Sequence, residues 1–156
     1  MRLKQFWVVF LFVGVSPALH GQGTATNLSG RWQLNVEKSA LVKKPSNPPL
    51  LTITCVGNKV QMVYTSKGIE RKEQYTADGK ERTASIEHET EIVEKAYWRD
   101  GVLVIETYVR ERTSNGVWGG LWPYGPTESW SLLPDGLTLK HETYKSKRVA
   151  VYDKVQ

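Results

Sequence analysis

Apolar side chains recur at every second position through most of this chain, the period of a strand with one buried face. A first strand is predicted over Ser29 to Asn35, followed by a polar connection, Val36 to Pro49, whose prolines bar it from a central strand. Leu50 to Val56 and Lys59 to Ser66 come next, turned by Gly57-Asn58, with Val60, Met62 and Tyr64 sharing a face. Ile69 to Thr76 closes on Ala77-Asp78-Gly79-Lys80. Arg82 to Thr90, Glu91 to Trp98 and Val102 to Arg112 follow, the last of these the strongest strand by composition. Thr127 to Leu133, Leu137 to Tyr144 and Arg148 to Lys154 end the chain. Turn signals arrive at short intervals, no helical period appears after the first two dozen residues, and no internal repeat is visible.

Nine or ten consecutive strands joined mostly by tight turns form a meander, and a meander must hide its two edges. Closing into a barrel hides them most completely. Several strands carry long polar side chains on both faces, notably Glu70-Arg71-Lys72-Glu73-Gln74. A dry sandwich tolerates that poorly, whereas a barrel with a partly hydrated interior tolerates it well. The expected fold is therefore all-β, a single antiparallel up-and-down β-barrel of about 8–10 strands.

The beginning of the chain has another character. Met1 to Gln5 is short and basic, Phe6 to Val15 is apolar apart from Gly14, and Ser16-Pro17-Ala18 supplies small residues and a helix breaker. These are the three parts of a secretory signal peptide. The apolar run is half of what spans a bilayer, so a stable membrane anchor is not expected. We expect residues 1–22 to be a signal peptide cleaved near 18–22, residues 23–156 to be the barrel domain, and the protein to be exported to the periplasm or the medium.

The formal charge is +5. Arg2 and Lys4 lie in the leader and no acidic residue precedes Glu37, so +3 remains after cleavage. Lys and Arg alternate with Glu and form no basic face, which argues against nucleic acid as a partner. Cys55 is the only cysteine. It excludes an internal disulfide and reads as a buried thiol on a strand.

The opening Leu28-Ser29-Gly30-Arg31-Trp32-Gln33-Leu34 resembles the G-x-W start of lipocalins and their fatty-acid-binding relatives. Ser29 to Asn35 together with Glu37-Lys38-Ser39 is similar to the start of a group of exported bacterial lipocalin-like proteins that open S-G-x-W-x-L-N. The last strand, Arg148 to Val155, resembles that of fatty-acid-binding proteins. The resemblance implies that Gly30 and Trp32 plug the closed end of the barrel, with a basic residue of the last strand, Arg148 or Lys147, packed across the indole. It also implies a cavity for a small molecule. The prolines after the first strand depart from the family, whose fatty-acid-binding members carry a two-helix lid there.

Ser114 to Pro126 is Gly- and Pro-rich and reads as a loop, yet it holds Val117, Trp118, Leu121, Trp122 and Tyr124. Large apolar residues in a loop need a reason. Three readings fit: a flap over an open barrel mouth, a docking surface, or a loop folded back on its own core. With Tyr64 and Tyr108 on strands, the candidate ligand contacts are Trp118, Trp122, Tyr124, Tyr64 and Tyr108.

Chemistry has little support. His88 and His141 stand on different strands, and nothing in their spacing demands a metal. No nucleophile elbow, phosphate loop or dinucleotide fingerprint occurs. A pair such as Glu73 and Glu106 could act as acid and base, but charged strand residues are too common here to single it out. Neither catalysis nor a cofactor is expected. The leading expectation is an exported carrier holding an apolar or amphipathic ligand; the alternative is an envelope or extracellular interaction protein with a filled barrel and an aromatic docking loop.

Overall fold

The computed structural model describes residues 25–123, 127–144 and 146–156. The leader and Tyr124 lie outside them. Eleven strands follow one another: β1 (Gly30–Leu34), β2 (Leu50–Val56), β3 (Lys59–Ser66), β4 (Ile69–Thr76), β5 (Glu81–Glu87), β6 (Thr90–Arg99), β7 (Val102–Arg112), β8 (Trp118–Pro123), β9 (Glu128–Leu132), β10 (Thr138–Thr143) and β11 (Arg148–Val155). All belong to one sheet in the order β4-β3-β2-β1-β11-β10-β9-β7-β6-β5, with β8 on β7. Every pairing is antiparallel, and β11 returns to lie beside β1, with Trp32 opposite Lys154. The all-β barrel expected from the sequence is the observed fold.

The ring has one unpaired seam, where β4 and β5 share no ladder. Hydrogen bonds hold the turn between them at one end. Ala77 N donates to Asn58 O at 2.7 Å, and Gly79 N donates to Ala96 O at 2.9 Å. Across the seam itself, Arg82 Nη1 on β5 donates to Thr76 O on β4 at 3.3 Å.

Two boundaries differ from the sequence reading. The segment read as a loop contains β8, paired with the far half of β7: Val109 faces Trp122 and Arg110 faces Leu121. β7 is 11 residues long. Only its first residues pair with β9, through Leu103, Val104 and Ile105. The remaining backbone groups needed another partner, and β8 satisfies them. His88 lies in the β5–β6 turn with φ 56, so the strand predicted over Arg82 to Thr90 ends before it.

The base of the barrel is packed around Trp32, which is 1% exposed. Its Nε1 donates to the carbonyl of Leu28 at 3.1 Å. A Cβ on Gly30 would stand 3.3 Å from that same Nε1 and 3.3 Å from Lys154 Cε, so the bare backbone lets indole and lysine close together. The β6–β7 turn presses on the incoming chain: Gly101 has φ +78, and a Cβ there would come within 2.6 Å of Thr26 Oγ1. Leu51, Ile53, Val60, Met62, Leu103, Trp130 and Leu139 complete a dry interior next to Trp32. Each such side chain contributes roughly 1.5–3 kcal/mol on burial.

Candidate functional site: the barrel lumen and its seam

Because strand side chains alternate, the residues in register with the core define the inner face all round the barrel. On β3 and β4 the inward pairs are Val60–Tyr75, Met62–Glu73 and Tyr64–Arg71. The inner face is apolar at the base and polar toward the mouth. Glu94 and Ala96 follow the same parity as Trp98 on β6, and Glu128 and Trp130 face His141 and Thr143 across β9 and β10.

These groups meet in the upper lumen. Tyr75 Oη donates to Glu73 at 3.2 Å, and Arg71 pairs with the same carboxylate. His141 Nε2 lies 3.2 Å from Glu128, and its ring stacks on Trp130 with centroids 3.9 Å apart. Tyr152 packs at 5.9 Å from the same indole. Tyr64 Oη donates to Met62 Sδ at 3.7 Å.

The acid–base properties follow from burial and from the carboxylates. Burial raises Glu94, and Glu73 and Glu128 raise it further because two more negative charges disfavour a third. Burial pushes Tyr152 up to about 12, with Glu128 and Glu73 adding to it. Tyr64 and Tyr75 are raised well above the ordinary phenol range, again by burial first and Glu73 second. Glu73 and Glu128 thus act on Glu94 and on three tyrosines from three separate strands.

Space adjoins this cluster. A cavity of about 310 Å³ opens in the seam between β4 and β5, lined by Tyr75, Thr76, Arg82, Thr83, Glu94 and Ala96. At the mouth, a second of about 450 Å³ runs between the β5–β6 turn and β7, lined by Glu87, Thr90, Ile92, Val109 and Glu111. A third, about 460 Å³, lies between Lys43-Lys44 and Lys67, where the long β1–β2 connection meets the β3–β4 turn.

The aromatic residues singled out in the sequence are dispersed. Tyr64 faces the lumen. Trp122 is in register with Val109, next to the mouth cavity, and is 67% exposed. Trp118 sits on the hairpin with the Arg112 guanidinium 6.0 Å from its ring. Tyr108 is a correction: it pairs with Val93 on the outer face. There its hydroxyl donates to Glu106 at 2.7 Å, which pushes it up to about 12, and Tyr97 donates to the same carboxylate at 2.9 Å. Glu106 therefore stands on the opposite side of the wall from Glu73, and the two make no acid–base pair.

The cation on Trp32 is a second correction. Lys154 Nζ lies 5.5 Å from the ring centroid. Arg148, at the other end of β11, is exposed and faces Thr143 near the mouth. β11 runs from mouth to base, so its last residues, not its first, reach the plug.

Sequence reasoning did not place Tyr75 among the ligand contacts, did not single out Glu94, Glu128 or Tyr152, and left His141 without a role. Alternation could have paired Tyr75 with Val60, but only the register joins four strands into one lining. Among the described residues, no group of three or more His, Cys, Asp or Glu is placed to hold a metal ion.

No family model matches this sequence, and no curated protein matches it either. Solved structures do resemble it. Human cRBP IV superposes with a TM-score of 0.55 at 13% identity, covering 83% of this chain and 99% of its own. Apo lipid binding protein 8 of Caenorhabditis elegans superposes with a TM-score of 0.51 at 11% identity, covering 81% of this chain and 94% of its own. The likeness shows the fold, an antiparallel β-barrel.

Proposed function

We propose that this protein is an exported, non-catalytic carrier that holds an amphipathic small molecule inside its barrel. The observation that carries the reading is the division of the lumen. It is dry where Trp32 closes it, whereas the side along the seam is polar and half-buried, with a cavity of about 310 Å³ in the seam and another of about 450 Å³ at the mouth. Burying an apolar tail on such a floor gains roughly 25 cal/mol per Å², and the polar upper groups hold the head. The names of the two neighbouring structures, one a cRBP and one a lipid binding protein, support the reading by analogy of fold. Export rests on the leader of residues 1–22 alone.

The test is native mass spectrometry of protein purified from its own host, joined to titration with a neutral lipophilic fluorophore. A co-purifying small molecule, or energy transfer from the tryptophans to the fluorophore, supports the carrier. A protein that arrives empty and quenches no probe overturns it.

The second reading is docking of a partner on the β7–β8 hairpin, favoured by the exposure of Val117 (64%) and Trp122 (67%). Trp122→Ser separates the two. It leaves lumen binding intact if the hairpin is a docking surface, and weakens it if the hairpin guards the mouth.

A further inference from the structure

We propose that the upper lumen selects an amphipathic amine, its ammonium group seated among Glu94, Glu73 and Glu128 and the ring face of Tyr75. This rests on the carrier reading and names the ligand class for that same site.

The charge of the lining decides the class. Three carboxylates face inward from β4, β6 and β9, and basic groups are few and engaged. Arg71 pairs with Glu73 but has its side chain 76% exposed, so it answers that carboxylate from the rim. His141 lies against Glu128. Arg82, beside Glu94 across the β5–β6 ladder, is held by two bonds to Asp78, at 2.7 and 2.8 Å. Lys154 is at the base on Trp32. Glu94 has neither cation nor hydrogen-bond donor among the described residues, and it lines the seam cavity of about 310 Å³. A carboxylate ligand brought there meets like charge, which disfavours it. An ammonium supplies the missing counter-charge in a site of reduced dielectric, where the pairing is stronger than in water. The phenol ring of Tyr75, which lines the same cavity, attracts a cation through its face, while that of Tyr64 already carries the Arg71 guanidinium 5.8 Å from its centroid.

The carboxylates do not stand alone in marking a site. Trp130 is 0% exposed, and its Nε1 has no acceptor among the described residues. It stands on the inner face at the edge of the dry core, two positions along β9 from Glu128 and stacked on His141. A fully buried donor left unpaired is uncommon and calls for an acceptor atom. An amine that carries a hydroxyl or carbonyl oxygen near its nitrogen meets both needs, the oxygen accepting from Trp130 and the nitrogen donating to the carboxylates.

Net charge works against an artefact. Without its leader the chain carries a formal +3, so unspecific attraction favours anions over amines. Dodecylamine, dodecanol and dodecanoate are matched in their tails and differ in the head. Displacement of a neutral lipophilic fluorophore by each, near neutral pH, measures the preference. Dodecylamine is expected to displace it at least tenfold more tightly than dodecanoate, with dodecanol between. Glu94→Gln is expected to weaken dodecylamine by about tenfold and leave dodecanol unchanged. Binding of dodecanol by the variant also shows that its barrel is intact. Equal affinities, or a preference for dodecanoate, overturn the amine proposal and leave the carrier reading standing. Displacement by none of the three overturns the carrier reading itself.

Discussion

The imidazole of His141 lies flat on the indole of Trp130, with ring centroids 3.9 Å apart and planes 4° from parallel. The pair joins the dry base of the barrel to its polar upper half. Trp130 belongs to the core, while His141 reaches Glu128 at 3.2 Å. His141→Ala is expected to destabilise the protein by about 1–2 kcal/mol, since a stacked ring pair contributes roughly 0.5–1.5 kcal/mol beyond burial and Glu128 loses its neighbour. Trp130→Ala is expected to cost more, roughly 3–5 kcal/mol, through the cavity it leaves. Urea unfolding midpoints measure both, and a His141 variant as costly as the Trp130 variant would contradict the assignment.

Lys154 over Trp32 makes a sharp comparison with Arg148. Lys154→Ala removes a cation from a buried indole face and is expected to cost about 1 kcal/mol. Arg148→Ala, an exposed change at the mouth, is expected to stay within about 0.5 kcal/mol. Thermal melts of the two variants side by side decide it; equal shifts would remove Lys154 from the plug.

Tyr64 and Tyr108 differ by the face they occupy. Tyr64→Phe alters the lumen and is expected to change the affinity of a bound fluorophore by about threefold or more, the scale of a single modest hydrogen bond. Tyr108→Phe, on the outer wall beside Glu106, is expected to leave it unchanged. A Tyr108 effect as large as that of Tyr64 would place the ligand outside the barrel.

Glu94 gives stability an unusual pH slope. Its carboxyl titrates above 4.5 in the folded protein, so between the unfolded and folded values the native state binds more protons than the unfolded one. Stability contributed by this group is present at low pH and is lost as pH rises through that window. Glu94→Gln cannot ionise, so its stability relative to the parent is expected to increase from pH 4 to pH 7. Denaturant midpoints across that range provide the measurement, and a constant difference would show that Glu94 is not desolvated.

The lumen tyrosines act with the same sign at high pH. Tyr64 and Tyr75 are raised, and Tyr152 stands at about 12. The unfolded chain ionises its phenols near pH 10 while the folded one keeps these protonated, so stability falls above that pH. The ultraviolet signal of tyrosinate is expected to reach its full height, for all seven tyrosines, only together with loss of the native tryptophan emission. The full signal appearing before unfolding would put these hydroxyls in water.

The alternation of Val60, Met62 and Tyr64 and the turns at Gly57-Asn58, Asp78-Gly79 and Asp100-Gly101 made the strands, their order and the barrel legible in the sequence. Local rules suffice there, because a period of two and a glycine at a turn are properties of neighbouring residues. The motif Gly30-x-Trp32 marked the plug for the same reason.

Tertiary structure decided what no local pattern encodes. Register set Glu73 inside and Glu106 outside, and it carried Tyr108 to the outer wall. Strand direction took Arg148 to the mouth and brought Lys154 to the indole. Unpaired backbone on the far half of β7 drew Trp118–Pro123 into a strand despite its glycines. The acidic lining arose from Glu73, Glu94 and Glu128, which stand on separate strands and meet only when the sheet curls. A one-residue slip moves a side chain to the other face of a sheet, so the chemistry of a lumen is written in the pairing between strands, while the strands themselves are written in the chain.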